Sequence, residues 1–290
     1  MISLEVAQNF LRRNVPSGRP MLVFLSGGVD SDVVARLAVA TFGAARVVGA
    51  TCLQAAQDPA HPENAARLAR TLGIEYAQLN LGQMPAELAA ELARASPRFD
   101  DGENGWLIEA RAKCALRTSI AALYHDRGYY ILGCGNRTEL RLGFFMPLGD
   151  GICHAAPILH LFKTEVYVLA QALGTDSQVI EQPPSAGFWP GQSDLEDIAY
   201  WMLHGGPIVR PVHFSEEDIA EVERMRRVLS FAGLDAALKE YERGSAPAFA
   251  ASVSGLELKI VERVYRVAEA ARALKLIPMC ASLLSEAAPT

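Results

Sequence analysis

The residues best suited to chemistry in this sequence form one short segment, SGGVDS, which begins at Ser26 and lies between an apolar run and a run with helical spacing. Gly27 and Gly28 allow the backbone to approach an anion closely. The helix start supplies unpaired N–H donors and the positive end of its dipole, and Ser26 and Ser31 add hydroxyl groups. Asp30 is expected to cap the helix and to lie near a magnesium ion. Together these residues predict a phosphate-binding loop.

The spacing of this loop differs from two common nucleotide-binding motifs. It lacks the GxxxxGK[ST] arrangement with its lysine, so transfer of a γ-phosphate by a Walker-type enzyme is not indicated, and GxGxxG is also missing. An ordinary glycine turn with an Asp or Ser cap is the alternative explanation.

A second group of polar residues follows further along the chain. Glu139 and Asn136 come soon after the apolar segment 129–132, and ligands gather at the carboxyl ends of strands in open α/β sheets. Lys163 and Thr164 open a predicted helix, where a cation and a hydroxyl group add to a dipole that attracts anions. The alternatives are an exposed acid at a helix start and a solvated surface lysine.

Apolar periodicity predicts the elements that must position these residues. Strands are expected at 21–25, 46–52, 75–79 and 129–132, and helices at 3–13, 30–42, 62–72, 85–95 and 105–126. From Gly133 to Pro157, frequent Gly, Pro and His predict loops, and later helices are expected at 163–173, 194–203, 216–232 and 255–276. This order predicts an α/β fold with a doubly wound, mostly parallel sheet. We expect one domain at residues 1–205 and a helical C-terminal extension, residues 206–290, packed on the same domain.

Composition and charge restrict the class of protein. The 290 residues contain 27 Lys and Arg against 33 Asp and Glu, a net charge of −6 without a long basic run, so a nucleic acid partner is not expected. No apolar stretch approaches the roughly 20 residues that span a bilayer, and the N-terminus lacks a signal-peptide core. We expect a cytoplasmic protein with no membrane partner. The five widely spaced cysteines, without a CxxC pair, favour free thiols.

Four motifs in order point to a family. The loop SGGVDS resembles the pyrophosphate-binding loop of the ATP-pyrophosphatase, or PP-loop, superfamily. It is followed by ILGCGNRTELRLGFFMPLGDG, by PILHLFKTEVYVLAQALG and by QPPSAGFWPGQSDLED. These stretches are similar, in the same order, to motifs of the ammonia-dependent NAD synthetase family, and the resemblance covers roughly residues 21 to 200.

The resemblance implies a Rossmann-like fold of the adenine nucleotide alpha hydrolase type and an ATP-dependent ligase. In that family ATP adenylates the carboxylate of nicotinic acid adenine dinucleotide with release of pyrophosphate, and ammonia then attacks to give the amide, NAD. No glutaminase domain is expected in 290 residues, so ammonia would arrive free or from another protein. The family pairs subunits through long helices, which implies a homodimer with residues 105–126 at the interface.

The resemblance also implies roles for individual residues, with ATP and Mg²⁺ as the cofactors. Asp30 and Lys163 are the expected catalytic residues, and Asp30 and Glu139 are the expected metal ligands. ATP is expected to contact Ser26, Gly27, Gly28, Asp30, Ser31, Lys163 and Thr164. The small-molecule carboxylate is expected to contact Asn136, Asp150, His154 and Asp194, although both aspartates also suit a turn or a helix cap.

The sequence departs from the family in the loops expected to bind substrate. The family has Thr-Lys-Tyr where this chain has Met146, Pro147 and Leu148, and an acid where this chain has His154. Gln182 stands where a lysine often precedes PP, and the C-terminal HKR signature is not recognisable. A ligase acting on another carboxylate is therefore an alternative.

Two further hypotheses concern the segment KCALR. Lys113 and Arg117 share a helical face and would meet an anionic substrate, a dimer partner or solvent. Sulfur transfer through Cys114, Cys134 or Cys153 is the alternative from another reaction class, and it requires a thiol with a lowered pKa.

Overall fold

The computed structural model describes residues 4–54, 58–99, 105–186, 191–206, 214–273 and 279–281. The strands are β1 (Met21–Phe24), β2 (Val47–Gln54), β3 (Glu75–Gly82), β4 (Tyr130–Leu132), β5 (Ile152–Ala155) and β6 (Met279–Ala281). The first helices are α1 (Leu4–Asn14), α2 (Val29–Phe42), α3 (Ala60–Leu72), α4 (Met84–Ala95), α5 (Gly105–His125) and α6 (Arg137–Leu142). The later helices are α7 (Lys163–Ala172), α8 (Ser177–Glu181), α9 (Asp194–His204), α10 (Glu216–Val228), α11 (Phe231–Glu242), α12 (Pro247–Ser254) and α13 (Leu258–Ala273).

The described strands form one sheet in the order β3-β2-β1-β4-β5-β6, and every neighbouring pair is parallel. The chain builds outward from β1 to β3 and then returns to pair β4 with β1. The strand order therefore reverses between β1 and β4, and in such sheets ligands bind in the crevice at the reversal. The predicted doubly wound parallel sheet is confirmed.

Several predicted elements differ from the structure. The stretch from Gly133 to Pro157, expected to be loops, contains α6 and β5. The helix expected at 216–232 is divided, because α10 ends at Val228 and Ser230 caps α11 by accepting a hydrogen bond from the Gly233 amide at 3.1 Å. The helix expected at 255–276 begins only at Leu258 and is preceded by the unpredicted α12.

Apolar packing joins the C-terminal helices to the rest of the chain. One core cluster lies around β1, α1, α2 and α7. A second cluster combines residues of α9 to α13 with Leu142 at the end of α6 and Phe162 just before α7. The helices beyond residue 205 thus pack against the elements that follow β4, while a domain boundary at residue 205 stays a prediction.

Two other expectations concern membranes and thiols. No helix in the described parts of the chain is long and apolar enough to cross a membrane. Cys52, Cys114, Cys134 and Cys153 are free thiols, and all but Cys134 are buried, in agreement with the absence of a CxxC pair.

Candidate active site

The SGGVDS loop lies between β1 and α2 and is held in shape by its own serines. The hydroxyl groups of Ser26 and Ser31 are 3.1 Å apart, and the Ser26 amide donates to Ser31 Oγ at 3.2 Å. Ser31 Oγ donates to the Gly28 carbonyl at 3.1 Å, and the Gly28 amide donates to Ser26 Oγ at 3.3 Å. Ser31 is buried and Ser26 is exposed, and the hydrogen bonds between them give the loop its shape before any ligand binds.

Position 27 requires glycine both because of its backbone angle and because α3 lies close to it. Its φ is +84°, which favours glycine, and a Cβ atom there would lie 2.0 Å from the carbonyl oxygen of His61 at the start of α3. Asn64 Nδ2 also donates to the Gly27 carbonyl at 3.4 Å. The loop is therefore packed tightly against α3.

Asp30 does not cap α2, contrary to the sequence expectation. The N-cap is Gly28, with extended backbone and no side-chain cap. Asp30 instead points across to the elements after β4: Asn136 Nδ2 donates to its Oδ1 at 3.0 Å, and Lys163 Nζ forms an ion pair with its Oδ2. The sequence predicted that Asp30 acts in the site, but it did not indicate that Asp30 contacts Asn136 and Lys163, which follow β4 in the chain.

Asn136 positions two acids at once. It is fully buried, and its side chain accepts from the Glu139 amide at 3.0 Å while the Glu139 carboxylate accepts from the Asn136 amide at 3.2 Å. This reciprocal capping box begins α6. Because the same Asn136 side chain donates to Asp30, it fixes the two carboxylates relative to each other.

Carboxylates surround the buried ammonium group of Lys163, whose side chain is 3% exposed. Burial and the charge of Asp30 raise the pKa of Glu139 well above its usual range, and burial raises the pKa of Asp194 to about 6. Burial alone would lower the pKa of Lys163, but the three carboxylates outweigh it and raise that pKa. Acids outnumber the cation, so the cluster favours binding a further positive charge.

A second layer of contacts comes from α11. Thr138 Oγ1 donates to Asp235 Oδ1 at 2.5 Å and accepts from the Lys163 amide at 2.9 Å, while the Thr164 amide donates to Asp235 Oδ2 at 2.8 Å. Asp235 is 2% exposed. It therefore joins the N-termini of α6 and α7, the helices that present Glu139 and Lys163.

A cavity of about 1000 Å³ opens beside these groups, at the carboxyl ends of β1 and β4. Eight residues expected in the site line it: Ser26, Gly28, Asp30, Ser31, Glu139, Asp150, Lys163 and Asp194. The other four expected residues do not line it: Gly27, Asn136, His154 and Thr164.

Comparison with known proteins agrees with this geometry. The family model described as NAD synthase matches residues 4–228. The chain belongs to the NAD synthase family. The NH₃-dependent NAD⁺ synthetase of Carboxydothermus hydrogenoformans is 35% identical over 235 residues, covering 77% of this chain and 90% of the relative. The corresponding protein of Methanococcoides burtonii is 34% identical over 192 residues, covering 66% of this chain and 71% of the relative.

Solved structures support the same fold at lower identity. NAD⁺ synthetase from Burkholderia pseudomallei matches with a TM-score of 0.62 at 20% identity, covering 95% of this chain and 88% of that chain. NMN synthetase from Francisella tularensis matches with a TM-score of 0.60 at 23% identity, covering 79% of this chain and 98% of that chain.

Two residues expected in the site of this NAD synthase family member have other contacts. Thr164 forms hydrogen bonds to Asp235 through its amide and its side chain, so it stabilises the start of α7 without lining the cavity. His154 Nδ1 accepts from the Ile131 amide at 2.8 Å, and its ring stacks on Tyr130 with ring centroids 4.7 Å apart. His154 thus contacts β4 and, through the His125 ring at 4.9 Å, α5, and it does not line the cavity.

Sequence reasoning missed other residues that line the cavity. Asp197, one turn after Asp194, accepts from Gln192 Nε2 at 2.8 Å, and burial raises its pKa to about 7. His61 also lines the cavity, where its Nε2 lies 3.2 Å from Nε2 of Gln182, a residue that the sequence singled out only as a departure from the family. Asp197 stands in the SDLED motif that indicated Asp194, whereas His61 had no signal because α3 is brought to the loop only by folding.

Proposed function

We propose that this chain is an ATP-dependent ligase that adenylates the carboxylate of nicotinic acid adenine dinucleotide and transfers ammonia to it, giving NAD. Membership of the NAD synthase family supports this activity. The observation that carries it in the structure is the preformed SGGVDS loop facing the cluster of Asp30, Glu139 and Lys163 in one cavity at the reversal of strand order.

Adenylation transfers charge to a leaving pyrophosphate. A carboxylate oxygen attacks the α-phosphorus of ATP, and the bond from that phosphorus to the bridging oxygen breaks. The N-terminus of α2 offers backbone N–H donors to the pyrophosphate, and the Lys163 ammonium group adds positive charge. The loop holds its shape without ligand, so little reorganisation accompanies the reaction.

Magnesium fits the chemistry of the acids in the cavity. The described residues contain no group of three or more His, Cys, Asp or Glu side chains that forms a complete metal site. Mg²⁺ in nucleotide sites is usually held by one or two carboxylates together with phosphate oxygens and water. We propose Asp30 and Glu139 as its protein ligands, because Asn136 fixes both. When bound, the ion would neutralise charge on the phosphates.

The second step forms the amide. The ammonia nitrogen attacks the carbonyl carbon of the adenylate, the bond to AMP breaks, and the nitrogen loses a proton. We propose that Asp197 accepts this proton, because it lines the cavity and its pKa of about 7 suits proton transfer near neutral pH.

Sulfur transfer is disfavoured by the state of the thiols. Burial raises the pKa of Cys134 to about 12 and also raises the pKa of Cys52 and Cys114. Thiolate, not thiol, is the nucleophile, so these cysteines are poorly suited to attack an adenylate. Ammonia remains the better nucleophile for this cavity.

The test incubates the protein with ATP, Mg²⁺, ammonium and nicotinic acid adenine dinucleotide and analyses the products by mass. We expect AMP, pyrophosphate and NAD in equal amounts, and no product when the metal is chelated. Formation of ADP would contradict adenylation. Turnover of nicotinic acid mononucleotide but not of the dinucleotide would select the alternative of another carboxylate.

A further inference from the structure

We propose that Asn64 and Gln182 are positioning residues whose contact fixes the phosphate loop relative to Asp194 and so sets the affinity for Mg-ATP. The inference rests on the proposed function, because it takes ATP as the ligand of that loop. Asn64 lies on α3 and Gln182 follows α8, so neither belongs to the elements that carry the phosphate loop or Asp194. Their side chains meet although they are 118 positions apart in the chain.

Asn64 is held so that its amide nitrogen donates in two directions. The residue is 7% exposed, and its Oδ1 accepts from Arg67 Nη2 at 2.6 Å. A guanidinium group has only donors, so this bond decides which end of the amide is oxygen. Asn64 Nδ2 then donates to Gln182 Oε1 at 2.6 Å and to the Gly27 carbonyl at 3.4 Å. One buried side chain therefore contacts both the phosphate loop and the residue after α8.

Gln182 uses the other end of its amide on His61. Its Nε2 lies 3.2 Å from Nε2 and 3.3 Å from Nδ1 of that ring. Burial lowers the pKa of His61, so the neutral ring is able to accept from this nitrogen. A hydrogen bond between the ring and the Ser26 backbone gives a second contact with the phosphate loop. Gln182 is thus matched at both ends, as acceptor for Asn64 and as donor to His61.

The start of α8 is fixed to α3 as well. Arg67 Nε donates to Asp176 Oδ2 at 3.0 Å, and Asp176 caps α8 by accepting from the Gln178 amide at 2.9 Å. Arg67 therefore orients Asn64 and also anchors the helix that ends immediately before Gln182. Because α8 has only five residues, contacts of this kind and not its own hydrogen bonds decide where it lies.

The residues after Gln182 extend the connection to Asp194. The Pro184 carbonyl accepts from the Asp194 amide at 2.8 Å, and the Asp194 carboxylate forms a hydrogen bond with the backbone of Ala186. The same carboxylate feels the charge of Lys163 in the cavity. A displacement of Gln182 would therefore move the phosphate loop and the acid opposite Lys163 relative to each other.

Positions 64 and 182 are matched in hydrogen-bonding type, and the family motif suggests a second matched combination. Lysine often occupies position 182 in the family, where this chain has glutamine. An ammonium group only donates, so opposite the Asn64 Nδ2 donor it finds no acceptor. Asn64→Asp combined with Gln182→Lys replaces the amide pair with an ion pair, whereas either change alone sets like groups against each other.

Rotation of the Gln182 amide does not relieve the Asn64→Asp change. A half turn would offer the new carboxylate a donor, but it would also present the Gln182 oxygen to His61, which now faces a nitrogen. The Gly27 carbonyl would still face a carboxylate where it now accepts a hydrogen bond. Two buried acceptors without a proton between them are unfavourable, so we expect the loop to shift.

The experiment compares Asn64→Asp, Gln182→Lys, the double variant and a control, Asn80→Asp. Asn80 is an exposed residue of β3 whose Oδ1 accepts from the Gly82 amide at 2.9 Å, a bond that aspartate keeps. Calorimetry measures the Kd of Mg-ATP and of nicotinic acid adenine dinucleotide separately. Each single variant should bind Mg-ATP roughly 10-fold more weakly, with the dinucleotide within about twofold. The double variant should return to within about threefold of the wild type, and Asn80→Asp should match it.

The double variant distinguishes a specific contact from a general loss of structure. Losses for Mg-ATP that simply add in the double variant, unchanged Kd values in both single variants, or equal losses for Mg-ATP and the dinucleotide would each overturn the proposal. If Asn64→Asp does not fold, Gln182→Met decides, because it removes both hydrogen bonds at a half-buried position and should weaken Mg-ATP alone. A wild type that makes no NAD would overturn the proposed function, while the Kd values for Mg-ATP would still decide this proposal.

Discussion

The single residue on which most of the site depends is Asp30. It links the phosphate loop to Asn136 and Lys163, and its negative charge offsets the burial of that lysine. From the sequence, asparagine at this helix start is expected to abolish activity with little loss of the fold, because asparagine also caps helices well. In the structure, the replacement removes half of an ion pair whose side chains are 18% and 3% exposed.

Asp30→Asn should therefore lower both activity and stability. AMP release should fall by roughly 100-fold or more, because a preorganised charge is lost. The free energy of unfolding, measured with urea, should fall by less than the roughly 3–5 kcal/mol of a broken buried pair, because Glu139 and Asp194 still face Lys163. Glu91→Gln, which breaks an exposed pair on α4, is the control and should change neither. Unchanged AMP release in Asp30→Asn would contradict the assignment.

The acids of the cavity also predict a pH dependence. Folding raises the pKa of Asp194 to about 6 and raises that of Glu139, so the folded state binds more protons than the unfolded state between their ordinary values and these raised ones. These two groups therefore lower the free energy of unfolding as pH rises through that window.

The ligand-free folded protein favours the protonated forms of Asp194 and Glu139. Binding of Mg-ATP should instead favour their ionised forms, because the bound cation attracts carboxylates. We expect proton release on binding at about pH 6 and weaker affinity as pH falls below it. Calorimetry in two buffers of different ionisation enthalpy counts the protons. The Asp194→Asn variant should release fewer protons on binding Mg-ATP than the wild type does. Binding without proton release at this pH would show that the metal does not reach these acids.

At the scale of elements, the loop after β1 depends on its fit against α3. Gly27→Ala should weaken ATP binding and destabilise the fold, because the new Cβ collides with the His61 carbonyl. Gly43→Ala is a matched control: its φ is +83°, nearly the same, but nothing lies within 4 Å of the new atom. It should lose only about 1 kcal/mol from backbone strain and keep its KM for ATP. Equal KM values in the two variants would mean that the contact with α3 is unimportant.

The N-termini of α6 and α7 depend on α11 through Asp235. Asp235→Asn cannot accept from both Thr138 and the Thr164 amide, so we expect a loss of about 1–3 kcal/mol in stability. Lys163 and Glu139 would also be less well positioned, so kcat should fall roughly tenfold with little change in the KM for ATP.

The control for this variant is another acid at a helix start. Asp218→Asn alters the exposed capping box of α10, whose Ser215 and Asp218 do not line the cavity, and should reduce stability slightly without changing kcat. If both variants lose stability but neither loses kcat, Asp235 is a structural cap and not a positioning residue.

For the whole molecule, we propose a homodimer formed through α5. Leu123 on this helix is 58% exposed and is therefore available for contact with a partner subunit. Leu123→Lys should shift the protein toward monomer in light scattering at micromolar concentration. Val168→Lys, at a 66% exposed position on α7, should leave the dimer intact. A monomeric wild type would remove this proposal.

Much of the fold was predictable because its signals are local. From β1 through β4, the spacing of apolar residues within a short stretch of sequence is enough to indicate each buried strand and each helix between the strands. The missed elements among the described residues are short, and they include β5 with four residues, β6 with three, α6 with six and α12 with eight. Their stability comes from pairing and packing with distant segments, so the local sequence pattern did not predict them.

The sequence by itself determined the family, the parallel strands from β1 to β4 and the residues of the phosphate loop, because motifs and periodicity are properties of neighbouring residues. Only the tertiary structure decided which of those residues face the cavity. It placed His154 against β4, made Asp235 the partner of Thr138, 97 positions away, and turned Lys113 and Arg117 toward the ligand space. The physical reason is that burial, charge pairing and hydrogen-bond geometry depend on segments that meet only when the chain has folded.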